Sequence, residues 1–91
     1  MSDFTGLPGA DLVEQGLADL ASGRASEAAL LVSIGAPRLR ELGVDVPPGV
    51  MDPEHALYRA LSREDPDGAH SRYNALVRRL VSFERAIACA R

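Results

Sequence analysis

The chain has 91 residues, a formal net charge of −3 and 46% apolar residues. That length allows one domain with a thin core, since short chains bury a smaller share of their surface than long ones. The acidic balance weighs against a dedicated nucleic-acid binder, whose domain is usually basic, and no apolar run approaches the roughly 18 residues a membrane span needs.

Aromatic residues are limited to Phe4, Tyr58, Tyr73 and Phe83. The core must therefore be built from Leu, Val, Ile and Ala, which suits closely packed helices. All 10 basic residues are Arg. We read this as coding bias in a GC-rich genome, which points to a bacterial source. The lone Cys89 has no partner for an internal disulfide and fits a reducing cytoplasm. No apolar run follows Met1, so no secretion signal is expected.

Residues 1–9 read as an irregular leader, with Gly6, Pro8 and Gly9 breaking regular structure and Phe4 and Leu7 available to pack on the first helix. Residues 10–91 are expected to form a single helical domain. The first helix should span about 10–22, with Leu12, Val13, Leu17, Leu20 and Ala21 on one face. Asp11 and Glu14 suit its positive N-terminal end, and Gly23 is a good stop. Gly16 weakens a helix interior, so its presence suggests a second helix passing close.

Ser26 reads as the N-cap of a short, strongly apolar helix over about 26–34, which continues or kinks to 42 across Gly35 and Pro37. This should be the most buried element. Residues 44–51, with Pro47, Pro48 and Gly49, read as an extended linker. Asp52-Pro53-Glu54 and Asp65-Pro66-Asp67 then each place Asp as N-cap and Pro at the first helical position. They open helices over about 53–63 and 66–90. No sustained period-two run suggests a strand. The expected fold is an all-α bundle of four main helices with the long C-terminal helix central.

That last helix carries the clearest pattern. Ala69, Tyr73, Leu76, Leu80, Phe83, Ile87 and Ala90 recur at alternating spacings of three and four, with Val77 and Val81 widening the face. Tyr73, Leu76, Leu80, Phe83 and Ile87 are the candidate core or interface residues. Beside them run Arg72, Arg78, Arg79 and Arg85, candidates for binding an anion or RNA or for matching an acidic face. Arg72 and Arg79 form one row and Arg78 and Arg85 another. Residues 1–22 hold four acids and no base, whereas residues 69–91 hold five arginines and one glutamate. The two ends should therefore lie side by side, in one chain or across a dimer.

Arg63 and His70 stand six residues apart in Arg-Glu-Asp-Pro-Asp-Gly-Ala-His. This resembles the Arg-x4–6-His pattern of HEPN ribonucleases, small all-helical proteins that often work beside a nucleotidyltransferase. The resemblance implies RNA phosphodiester cleavage at a dimer groove, with His70 moving the proton and Arg63 stabilising charge. Separately, Gly16, Gly23-Arg24 and Glu27-Ala28 resemble one tetratricopeptide-type hairpin, in which small residues let two helices cross closely. Asp19 stands where that family places an aromatic residue, and no second copy follows.

His55 and Glu54 have no further His or Cys at ligand spacing, so neither a metal nor another cofactor is expected. The leading expectation is a small cytoplasmic interaction module that binds a protein partner or itself. The alternatives are the ribonuclease using Arg63 and His70, and an RNA-binding accessory using the arginine stripe.

Overall fold

A computed structural model describes Phe4 and residues 6–90. Four helices follow one another: α1 (Ala10–Ala21), α2 (Glu27–Glu41), α3 (Pro53–Glu64) and α4 (Ala69–Ala90). The fold is all-helical, with no strand among the described residues. No helix among them is long and apolar enough to cross a membrane.

Phe4 and Leu7 do pack on the core. The Phe4 ring meets Phe83 edge-on, with centroids 5.1 Å apart. A turn in which the Leu7 amide donates to the Phe4 carbonyl leads into α1. Gly9 is the N-cap of α1 with φ 74°, a conformation that favours glycine. A side chain there would also strike the backbone carbonyl of Arg79 at 2.6 Å. Met1, Ser2, Asp3, Thr5 and Arg91 lie outside the described residues, and with them part of the leader and two of the terminal charges.

The α1–α2 hairpin is built on small residues, as Gly16 suggests. A Cβ on Gly16 would collide with the Ala28 carbonyl oxygen and with Val32 Cγ2. The hairpin is closed by a polar relay. Asp19 is buried at 6% exposure. Its carboxylate accepts hydrogen bonds from Ser26 Oγ at 2.6 Å and Gln15 Nε2 at 3.0 Å. Ser26 Oγ in turn accepts the Ala29 amide at 3.1 Å, so the expected N-cap of α2 is itself anchored to α1. A buried carboxylate needs such partners, because leaving it unpaired would be costly.

α2 is one continuous helix through Gly35 and Pro37 to Glu41, the continuing course of the two expected. Pro37 is exposed, and its missing amide costs one helical bond without stopping the helix. Gly35 is buried against α4, where a Cβ would lie 2.8 Å from Leu80 Cδ2. Nine of α2's fifteen residues are buried, which makes it the most enclosed helix. α2 and α4 each touch the three other helices, and α1 and α3 flank that central pair. The 22 residues of α4 span roughly 33 Å at helical rise, close to the 38 Å long dimension of the molecule.

Residues 44–51 are the extended linker expected, laid as a strap across α2. Val44 and Val46 are buried. Arg40 Nη2 donates to the carbonyls of Val46 at 3.2 Å and Pro47 at 3.1 Å. The Val50 amide donates to Ser33 Oγ at 3.1 Å, and that hydroxyl donates to the Ala29 carbonyl at 2.9 Å. Ser33 is buried, so this pairing satisfies it and fixes the strap together.

The two Asp-Pro starts differ: Asp52-Pro53 opens α3 where expected, whereas Asp65-Pro66 does not open α4 directly. Asp52 occupies the N-cap position of α3, but with φ 51° and ψ 55° and no side-chain cap bond. The strap is pinned at Val50, two residues before this left-handed position. Asp tolerates that region better than most residues. α4 begins at Ala69, three residues later than its Pro66 suggests. Asp65 Oδ1 accepts the Gly68 amide at 3.1 Å, as an N-cap would, but it closes a separate turn. The first bond of α4 then runs from the Arg72 amide to the Gly68 carbonyl at 3.0 Å.

Candidate interaction surface

The periodic face of α4 lies against the chain's own helices. Ala69, Leu80, Phe83 and Ile87 are buried, Phe83 at 0% exposure and Leu80 at 3%. Tyr73, Leu76 and Val77 pack half-buried at its edge. Ala90, expected to continue the face, is exposed. It lies one turn past Ile87, where no described part of the chain covers it.

The arginine stripe divides into the two rows that the spacing predicts, and their surroundings differ. Arg79 Nη2 donates to Asp11 Oδ1 at 2.9 Å, joining α4 to the acidic start of α1. That hydrogen bond is the main reason the Asp11 carboxyl is held below its usual range, with partial desolvation opposing it. Arg72 lies between two carboxylates, 3.6 Å from Glu27 Oε1 and 3.8 Å from Glu64 Oε1. So one row knits α4 to the other three helices. The second row, Arg78 and Arg85, is exposed and makes no ion pair or hydrogen bond among the described residues.

The Glu27–Glu64–Arg72 cluster has no sequence signal, because its members come from three separate helices. The hydrogen bond with Glu64 raises the Glu27 carboxyl above its usual range, helped by desolvation and the Glu64 charge. Arg72 pulls the other way and does not prevail. A neighbouring carboxylate disfavours the charged form of Glu27, whereas the guanidinium favours it. These side chains are partly exposed, at 34% for Glu27, 57% for Glu64 and 43% for Arg72, which limits what the ion pairs contribute.

Arg63 lies in the last turn of α3 and His70 in the first turn of α4, on either side of the interhelical turn. Both are exposed. No hydrogen bond joins them among the described residues. His70 Nε2 instead lies 3.2 Å from Asn74 Nδ2, one turn further along α4. His55 Nδ1 lies 3.6 Å from Asp52 Oδ2. No group of three or more His, Cys, Asp or Glu is placed to hold a metal ion among the described residues.

Two large apolar side chains stand out from the surface, Met51 at 91% exposure and Tyr58 at 40%. Sequence patterning gives no reason to single out Met51, since it ends a linker and belongs to no periodic face. Tyr58 leans on Tyr73 across the α3–α4 hairpin, with ring centroids 6.0 Å apart. Burial raises the Tyr73 phenol above its usual range, and the Glu54 charge adds to this. No known protein family, curated protein or solved structure matches the chain.

Proposed function

We propose that the protein is a small helical interaction module, working in a reducing cytoplasm by presenting its surface to another protein or to a second copy of itself. The observation that carries this reading is Met51. Its backbone is held on both sides, by the Ser33–Val50 bond before it and by the start of α3 after it. Its side chain is nonetheless almost wholly in solvent.

An exposed apolar side chain on an anchored backbone suits recognition, because little backbone entropy is lost when a partner covers it. Complete burial of such a side chain gains roughly 1.5–3 kcal/mol. Methionine also adapts to irregular partner surfaces, and it is enriched with tyrosine in interfaces. The Leu80, Phe83 and Ile87 face is occupied inside the domain, so binding would use the outer surface.

Isolation of the tagged full chain from its native cell at low salt tests the reading. A protein recovered in stoichiometric amount, or a second copy of the chain, is the expected result. Replacing Met51→Ser should weaken that association without changing the fold. Recovery of no protein with a monomeric mass at all concentrations would contradict the proposal, as would a partner held equally well by Met51→Ser.

A further inference from the structure

Among the described residues, the arginines with neither an ion pair nor a hydrogen bond are Arg59, Arg63, Arg78 and Arg85. All lie on α3 or α4. Arg78 and Arg85 are seven residues apart on one face, which places them about 10 Å apart along the helix axis. That face points away from the core. Ser71, Ala75, Ser82 and Cys89 share it and are exposed. Their side chains are short, so the two guanidinium groups project beyond their surroundings.

The neighbouring row shows what this chain does with an arginine that has an internal role. Arg72 and Arg79 reach acids on α1, α2 and α3. Arg78 and Arg85 have the same seven-residue repeat and no such acid. We infer that Arg78 and Arg85 form a docking ridge for an acidic α-helix of a different protein, with carboxylates repeating at seven-residue spacing. This inference rests on the interaction-module reading and assigns it a surface.

Charge decides among the occupants. A second copy laid along this face in an antiparallel C2 pair would oppose Arg78 and Arg85 to themselves, and like charges facing one another disfavour that pairing. Nucleic acid would also be attracted to arginine. However, the face offers two free cations on a chain of net charge −3, whereas phosphate recognition draws on a larger basic surface. An acidic helix needs only two carboxylates in register. Arg suits such a partner because its planar fork can take a carboxylate with two parallel bonds.

Fluorescence anisotropy with the full chain tests this at about 50 mM salt, where surface charges are weakly screened. Three probes are used: a helical peptide with glutamates every seven residues on one face, an isomer with the same glutamates dispersed around the helix, and a single-stranded uridine RNA. The in-register peptide should bind more tightly than its isomer. The Arg78→Gln/Arg85→Gln double variant should lose about tenfold in affinity. Far-ultraviolet dichroism should confirm an unchanged fold, because both residues are exposed.

Equal binding of the two peptides, binding unaffected by the double variant, or no peptide binding at all would overturn the ridge. So would preferential binding of the RNA. Failure of the ridge is separable from failure of the interaction-module reading. A protein partner from the native cell that the Arg78→Gln/Arg85→Gln variant still retains, and that Met51→Ser loses, would remove the ridge and leave the module.

Discussion

Gly16 of α1 lies directly against the backbone of Ala28 in α2, with Val32 closing the other side of the contact. The limiting atom is a carbonyl oxygen, which cannot rotate away as a side-chain tip can. A substitution here must separate the helices. Gly16→Ala therefore combines a gain in helix propensity of about 1 kcal/mol with an overpacking cost of about 1–3 kcal/mol. Net destabilisation is expected, larger for Gly16→Val, and denaturant titration measures it. A stabilised Gly16→Ala variant would contradict the close crossing.

Ser33 joins α2 to the strap through its hydroxyl, which accepts from Val50 and donates to the Ala29 carbonyl. Ser33→Ala leaves the Val50 amide without its partner at a half-buried site. A loss of about 1–2 kcal/mol is expected. The Val50 amide should exchange with solvent faster, while the buried amides of α2 remain protected. Unchanged exchange at Val50 would mean that the strap is held by Val44, Val46 and Arg40 alone.

Much of this architecture is legible from local chemistry. Ser26 marks the start of α2, Gly16 forecasts a close crossing, and the spacing of Leu80, Phe83 and Ile87 identifies the buried side of α4. Asp52 is the N-cap of α3 as its residue type suggests, though without a side-chain cap bond, whereas Asp65 closes a separate turn with Gly68 and α4 starts later. Local signals fail where a distant contact decides, as for the arginines. Spacing separates Arg72 and Arg79 from Arg78 and Arg85, while only the positions of Asp11, Glu27 and Glu64 show that one row is engaged. Nothing local distinguishes Met51 from a buried linker residue.

Glu84 is half-buried near the crossing at Gly35. Burial raises its carboxyl above the usual range, and Arg38 opposes the shift. A carboxyl with a raised folded-state pKa favours folding while protonated. Its contribution is present at low pH and is lost as pH rises through the folded value. Glu84→Gln removes that loss, so its stability relative to the parent should increase as pH rises from below 4.5, the group's ordinary value, to neutrality. Thermal unfolding across this range measures the difference. A constant offset would show that burial does not bias Glu84.

Leu80 is buried where α2 crosses α4. Leu80→Ala should cost about 2–5 kcal/mol, in the range for truncating a core leucine. Leu80→Glu should unfold the domain, because an unpaired charge would enter that crossing. A folded Leu80→Glu protein that had merely lost its partner would instead place this face at an interface.

The anchored Met51 side chain is the proposed contact point for protein. The chain has two methionines, Met1 and Met51, so a methyl-labelled methionine spectrum resolves the site with little ambiguity. Spectra should be recorded over a series of protein concentrations and then in extract of the native cell. The account predicts that the Met51 methyl signal shifts or broadens, with concentration if the partner is a second copy and in extract if it is another protein. A sharp Met51 signal at an unchanged position under both conditions would contradict it.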